Sequence, residues 1–561
     1  MPRSARSGDV PAKRPRITKK FLRETAQERC GYSTFRPGQE EALRAVLAKK
    51  DTLVVMPTGG GKSAIYQIAA ALMPGPTVVV SPLIALQRDQ LERLDDHDVG
   101  EAALVNSTQT PREQEHSLDG VTRGRVEFLF LSPEQLRRPE VVERVAAAKP
   151  SLFVVDEAHC ISEWGHDFRP DYLRLGAVVT QLGHPTVLAL TATAAPAIRE
   201  EIVERLRMRK PEIIVHGFDR PNIWLGVETF EEDAAKRLAL ANAVMREPKP
   251  GIVYCATRKH AEEVSAELAT RGLRARHYHA GLPASERAEV QSAFMDDELD
   301  VIVATIAFGM GIDKANVRFV FHHDISDSVD SYYQEFGRGG RDGMPARALL
   351  FYREEDTRLH RFFASGNRID EGEVATILSA ILEREGPFDP DELREECDLP
   401  AGKIDRVINR LQDVGAISLV DGGDVVAGEQ SESIEDVAEE AIRVHERRRE
   451  FELVRVELMK AYAEHRGCRR QYLLRYFDEE LASPCGNCDQ CDAGVVAAEP
   501  HEEPFPVNSR VYRKGWGEGV VVGYDDGRIV VVFERVGRKT LALSVVMKRN
   551  LLRPLDDADD R

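Results

Sequence analysis

Between residues 50 and 350, short apolar runs alternate with longer amphipathic stretches. The runs Thr52–Met56, Thr77–Ser81, Val126–Leu131, Leu152–Val155, Thr186–Leu190, Gly251–Tyr254, Val301–Ala304 and Val317–Phe321 are rich in Val, Ile and Leu and do not alternate with polar residues. A strand covered on both faces needs such a continuous run, so the pattern predicts parallel strands buried between helices. The runs form two groups broken near Phe218–Pro221, which predicts two doubly wound α/β lobes in tandem.

Beyond residue 370 the texture changes. Helical patterns over Glu373–Glu385, Asp391–Glu396 and Gly402–Val414 precede two short apolar runs around Asp421-Gly422-Gly423-Asp424, a hairpin signal. Three helices and a hairpin predict a winged-helix-like segment. Residues 434–466 predict a long charged helix, a cysteine cluster follows, and 492–506 is rich in Glu, Pro and Ala, as a linker is. Short β runs with glycine turns then predict a small barrel. The expected division is a basic disordered arm (1–20), lobe 1 (21–217), lobe 2 (218–368), the winged-helix-like insertion (369–430), a helical metal module (431–495), a linker (496–506) and a Tudor- or SH3-like barrel (507–555).

Composition changes this picture in two places. The net charge of −18 argues against a nucleic-acid partner only if charge is evenly spread, and it is not. Residues 371–428 hold fourteen acids and five bases, whereas 507–553 hold ten bases and four acids. Of eight cysteines, Cys468, Cys485, Cys488 and Cys491 lie close together and Cys30, Cys160, Cys255 and Cys397 are scattered. That is poor material for a disulfide framework and good material for one metal site in a reducing cytoplasm. No apolar run reaches the length of a membrane helix, so no membrane partner is expected, and the basic start lacks the apolar stretch of a signal peptide.

The first candidate chemistry is Met56-Pro57-Thr58-Gly59-Gly60-Gly61-Lys62-Ser63, between a strand and a helix. Glycines let backbone N–H groups approach phosphate oxygens, and the helix N-terminus favours negative charge. Lys62 is the candidate contact to the β/γ-phosphates and Ser63 the candidate Mg²⁺ ligand, with Thr58, Gly59, Gly60 and Gly61 lining the phosphate loop. The strand Leu152–Val155 then delivers Asp156 to the metal and Glu157 to the attacking water. ATP and Mg²⁺ are therefore expected.

At Asp156-Glu157-Ala158-His159 and the aromatic-rich stretch that continues to Tyr172, the chain resembles the RecQ family of superfamily 2 helicases. Phe35-Arg36-Pro37-Gly38-Gln39, Ser81-Pro82-Leu83-Ile84-Ala85-Leu86, Thr191-Ala192-Thr193, Tyr278-His279-Ala280-Gly281-Leu282, Ala304–Lys314 and Gln334–Gly343 match further family motifs. The family usually has Ala where Gly339 stands. The resemblance implies RecA-like lobes, DNA unwinding with 3′-to-5′ polarity in repair or recombination, and single-stranded and forked DNA as partners. It implies that Gln39 reads the nucleotide base beside Arg36, and that Gly311 and Asp313 border the nucleotide. It implies that Arg338 and Arg341 face the γ-phosphate, with Arg341 favoured as the arginine finger. Trp164, His166, Phe168 and Arg169 are the expected DNA contacts, their aromatic rings suited to stacking on bases.

Cys468, Cys485, Cys488 and Cys491 form one Cys₄ set with the spacing of a structural Zn²⁺ site, and their surroundings resemble the RecQ zinc module. An iron–sulfur cluster is the chemical alternative. Two features depart from the family. The winged-helix-like segment precedes the zinc module instead of following it, and its third helix sets Lys403, Arg406 and Arg410 against Asp405 and Asp413, which leaves DNA contact and protein contact equally open. The terminal segment, with Trp516-Gly517 and Val530–Phe533, resembles the small barrel ending the superfamily 1 helicases UvrD and PcrA, which implies a tethered docking module for a protein partner. Two functions are expected to compete: an active helicase, and an ATP-modulated DNA-binding platform that recruits partners.

Overall fold

The computed structural model describes residues 18–555 except 58, 83–86, 88–89, 92–93, 95–99, 107, 163–168, 310–313, 366–368, 385, 391, 394–398, 400, 420–424, 429–432, 495–503, 526 and 534. The first lobe is a seven-stranded parallel sheet of β1 (Thr52–Val55), β2 (Thr77–Val80), β3 (Ala102–Val105), β4 (Phe128–Leu131), β5 (Leu152–Val155), β6 (Thr186–Thr191) and β7 (Glu212–Val215), in the order β3-β4-β2-β5-β6-β1-β7. Every residue of β1, β2, β4, β5 and β6 is buried, as their unbroken apolar runs require. The second lobe has a six-stranded parallel sheet of β8 (Ile223–Thr229), β9 (Gly251–Tyr254), β10 (Ala275–Tyr278), β11 (Val301–Ala304), β12 (Phe319–His322) and β13 (Ala346–Tyr352), ordered β10-β11-β9-β12-β13-β8. The two predicted lobes are thus present, and their sheets part between β7 and β8, at the predicted break.

Of the winged-helix-like expectation, the described residues hold helices Glu371–Leu382 and Ala401–Asp413 and the antiparallel hairpin β14 (Ile417–Leu419) and β15 (Val425–Ala427). Most of the expected middle helix lies outside the described residues. This segment has its own core, built on Ile377, Leu378, Ile404, Leu411 and Val425. Two of the three bases on its third helix are spent internally: Lys403 pairs with Glu373 and Arg410 with Asp413. The hairpin touches lobe 1, where Arg174 donates to the Ser418 hydroxyl at 3.1 Å.

The long helix runs from Ile434 to Glu464, capped at its start by Ser433. The terminal barrel is a five-stranded antiparallel sheet of β16 (Arg510–Arg513), β17 (Gly517–Asp525), β18 (Arg528–Phe533), β19 (Gly537–Ala542) and β20 (Arg553–Pro554), with a helix at Leu543–Arg549. The expectation of a tethered barrel is corrected here. Tyr472 donates its hydroxyl to Leu458 O at 3.0 Å and Val522 O at 3.2 Å, and Arg538 pairs with Glu457 at 3.1 Å. Val522 and Val530 join the same apolar cluster as Tyr472. The barrel is docked on the long helix, because apolar area and an ion pair were available on both sides to bury. The arm is also shorter than expected: Thr18 caps a helix at Lys19–Cys30, so Lys19 and Lys20 are helical, and Lys19 pairs with Glu40 at 2.9 Å. Residues 1–17 lie outside the described residues. Among the described residues no helix is long and apolar enough to cross a membrane.

Candidate functional site: a nucleotide cleft and a four-cysteine centre

The glycine loop leaves β1 and turns into the helix Lys62–Ala70. Gly59 and Gly61 have φ of 80° and 79°, a region that L side chains avoid. A Cβ on Gly61 would also stand 2.5 Å from Gln39 Nε2. That amide braces the loop: Gln39 Nε2 donates to Gly61 O at 2.8 Å, and Gln39 Oε1 accepts from Arg36 N at 2.8 Å. Arg36 itself is exposed beside the loop. Lys62 Nζ donates to Met56 O at 3.0 Å across the turn, and Ser63 follows at the first helical turn.

Asp156 and Glu157 leave the carboxyl end of β5. Glu157 has φ of 48°, and its N–H donates to Asp156 Oδ1 at 3.0 Å, so the backbone is bent to present both carboxyls. Burial and the neighbouring Glu157 charge push Asp156 up to about 7, against the pull of Lys62. Burial also lowers Lys62, and the Arg341 charge adds to the same direction while both carboxylates oppose it. Two acids and two bases therefore share one low-dielectric cleft, an arrangement that awaits a polyanion and a divalent cation.

Arg341 comes from lobe 2. Its Cγ lies 3.8 Å from where a Gly59 Cβ would stand, so this side chain crosses to the phosphate loop. Arg338 is buried within lobe 2, beside the Tyr254 hydroxyl and with Nη2 3.9 Å from the Gly309 Cβ position. The two arginines thus stand at different depths.

A polar chain that the sequence reading did not assign also reaches the cleft. His159 Nδ1 lies 3.3 Å from Glu157 Oε2 and 2.9 Å from Thr191 Oγ1. The Thr191 hydroxyl gives its proton to Thr193 O at 2.9 Å, so it can only accept from His159, which fixes the proton on Nδ1. Burial, then the Lys62 charge, depress His159 to about 3, so the ring is neutral. Gln334 Nε2 of lobe 2 then donates to Thr193 Oγ1 at 3.0 Å. The signal was present in the sequence, since all of these residues stand in motif stretches, but no periodicity tells which ones touch.

Of the other predicted residues, Arg169 donates to Pro82 O at 3.1 Å. Thr58, Trp164, His166, Phe168, Gly311 and Asp313 lie outside the described residues, as do 83–86.

The four cysteines converge: the sulfurs of Cys468, Cys485, Cys488 and Cys491 all lie within 4.8 Å of one another. Backbone N–H groups of Cys485, Asn487 and Cys491 donate to Cys468, Cys485 and Cys488 sulfurs at 3.3, 3.3 and 3.4 Å. Such donors stabilise thiolates, and four thiolates in this space suit a closed tetrahedral Zn²⁺ site with no position left for substrate. Bound there, the ion would supply a structural crosslink.

Comparison with known proteins agrees with this geometry. A DEAD/DEAH box helicase model matches residues 36–201, a helicase conserved C-terminal domain 235–343, and a RecQ zinc-binding model 428–492. The chain is 36% identical over 492 residues to the ATP-dependent DNA helicase RecQ of Pasteurella multocida, covering 87% of this chain and 65% of that protein. It is 36% identical over 471 residues to the probable ATP-dependent DNA helicase RecS of Bacillus subtilis, covering 84% of this chain and 91% of that one. In fold it is similar to the DUF1998 helicase MrfA bound to DNA, with a TM-score of 0.51 at 16% identity, over 78% of this chain and 62% of the other. With the nucleotide cleft, the four-cysteine centre and a relative matched along nine-tenths of its length, the chain belongs to the RecQ family of ATP-dependent DNA helicases.

Proposed function

We propose that this chain hydrolyses ATP with Mg²⁺ and uses the cycle to translocate on single-stranded DNA and separate forked duplexes in the 3′-to-5′ direction, in DNA repair or recombination. The observation that carries this reading is Arg341, a lobe 2 residue packed on the lobe 1 loop that also holds Lys62. A guanidinium there meets charge spreading over the transferred phosphoryl oxygens, which ties turnover to lobe closure. Lys62 holds the β/γ-phosphates, Ser63 and Asp156 hold Mg²⁺, and Glu157 orients and deprotonates the attacking water. Mg²⁺ supplies charge neutralisation at the phosphates when bound. His159, neutral and held by Thr191, packs its ring 3.3 Å from the Glu157 carboxylate without adding a charge there. Gln39 and Arg36 face the base, and Gly311 and Asp313 border the nucleotide. Trp164, His166, Phe168 and Arg169 meet the DNA strand, and Arg338 is the second arginine facing the γ-phosphate side of the cleft.

The barrel carries a protein-docking surface in this reading. Its helix Leu543–Arg549 exposes two apolar side chains, Val545 at 43% and Met547 at 46%, on different faces. Thiolates kept reduced for a Cys₄ site suit a cytoplasmic location. A strand-displacement assay on forked DNA, with and without ATP, tests the proposal. ATP-dependent release of the displaced strand is expected. DNA binding modulated by ATP with no strand release would instead support a recruiting platform.

A further inference from the structure

The segment that joins the lobes is held by the zinc module at Phe218, Asp219, Pro221 and Ile223, and by lobe 2 at Arg220 and Asn222. Phe218 stacks on Phe477, with ring centroids 4.2 Å apart and planes 3° from parallel. Phe218 N–H donates to Glu479 Oε2 at 3.0 Å, and Phe218 O accepts from the Tyr333 hydroxyl of lobe 2 at 2.8 Å. Asp219 pairs with Arg470 at 3.1 Å, Pro221 O accepts from Asn487 Nδ2 at 2.9 Å, and Ile223 O accepts from Arg470. Asn487 lies between the metal ligands Cys485 and Cys488. On the far side Arg199 of lobe 1 donates to Phe477 O at 2.5 Å while its Nε holds Ala194 O at 2.8 Å, one residue after Thr193.

Resting on the helicase reading above, we infer that the zinc module is the hinge pin of the two lobes. Phe477 and Glu479 are positioning residues that set the interlobe angle by holding Phe218, and they link that angle to Thr193 through Arg199. A segment free to rotate would let the lobes close without a defined path. A segment with its N–H, its carbonyls and its ring all engaged has few arrangements, so closure becomes a switch between discrete states. Neither residue touches the nucleotide cleft. Their effect reaches turnover only through the angle.

The experiment uses the full chain with zinc bound. Glu479→Ala removes the acceptor for Phe218 N–H, and Glu479→Gln keeps a carbonyl oxygen there. Dyes are attached through genetically encoded keto residues at Arg123 in lobe 1 and Lys259 in lobe 2, whose side chains are 67% and 80% exposed. The probes are a non-hydrolysable ATP analogue with Mg²⁺ and a single-stranded oligonucleotide. In the parent and in Glu479→Gln, the probes should produce the same shift in energy transfer. In Glu479→Ala the analogue should bind as in the parent while the shift falls by more than half, and DNA-stimulated kcat should drop about fivefold or more with KM for ATP unchanged. If Glu479→Ala does not fold, Asn487→Ala reads the same hinge from its Pro221 side, with the same expectation. A folded variant that keeps the full shift and the parental kcat overturns the hinge assignment. A parent chain that binds no nucleotide overturns the helicase reading first, and the hinge with it.

Discussion

Gln334 of lobe 2 donates its amide hydrogen to the Thr193 hydroxyl of lobe 1 at 3.0 Å, so a lobe 2 side chain completes a polar chain ending at His159, whose ring lies 3.3 Å from the Glu157 carboxylate. The contact exists only while the cleft is closed to hydrogen-bond distance. Replacing Gln334 with Ala should leave KM for ATP near its parental value and lower kcat about tenfold, equivalent to about 1.4 kcal/mol. Steady-state ATPase with saturating oligonucleotide measures both. A parental kcat would show that the chain of contacts is incidental to turnover.

Two substitutions separate binding from chemistry. Lys62→Ala should reduce ATP hydrolysis by about a hundredfold or more, since it deletes a preorganised cation at the phosphates. Glu157→Gln should bind a fluorescent ATP analogue normally and lose turnover about a hundredfold to ten-thousandfold, because shape survives and proton acceptance does not. Near-parental hydrolysis by Glu157→Gln would move the base elsewhere.

Metal analysis should find one zinc per chain. Cys488→Ser should lose it and cost about 3 kcal/mol or more of stability, because ligand binding and folding of the module are one event. Cys488 is buried and its backbone bridges Leu225 of β8, so the damage should reach lobe 2 and appear in the main melting transition. Iron with visible absorption would replace zinc in this account.

The second lobe carries a pH dependence that can be tested without nucleotide. His260 is raised above its usual 6.5 chiefly by its hydrogen bond to Asp324, at 2.9 Å, with burial opposing. A base whose folded value is raised contributes stability that is complete below the unfolded value and fades as pH rises through the folded one. As pH rises from 6.5 through the raised folded value, parental Tm should therefore fall, and His260→Ala should flatten that slope. Equal slopes would remove His260 from the explanation.

A protease nick within 495–503 should leave the barrel attached to the rest of the protein on gel filtration. Arg538→Glu turns its pair with Glu457 into a repulsion and should release the nicked barrel. Co-elution of the nicked Arg538→Glu protein would show that the apolar contact at Val522 and Tyr472 suffices alone.

The interior strands were legible because burial on both faces writes itself as an unbroken apolar run, and all eight predicted runs became strands. The missed strands have other patterns. β3 and β10 are only partly buried edge strands, and β7 is exposed at Ile213. β13 is interior, yet its run is broken by Arg347, whose guanidinium stacks over Trp224 at 4.4 Å and pairs with Glu247. The phosphate loop and the four cysteines were legible because their chemistry demands short fixed spacings. Gln334, Glu479, Glu457 and Arg538 act across distances of 81 to 261 residues, and no local pattern marks which surface charge will find a partner.

Gln39 holds the glycine loop by the same amide that a base would need. The loop is therefore preformed, and an arriving nucleotide meets little ordering penalty there. The amide carries two hydrogens and commits one of them to Gly61 O, so in the proposed reading a base would be met by the second while the loop stays held. Bracing of the loop and contact with the base would then run through one side chain, so whatever turns that amide also shifts the support under Gly61.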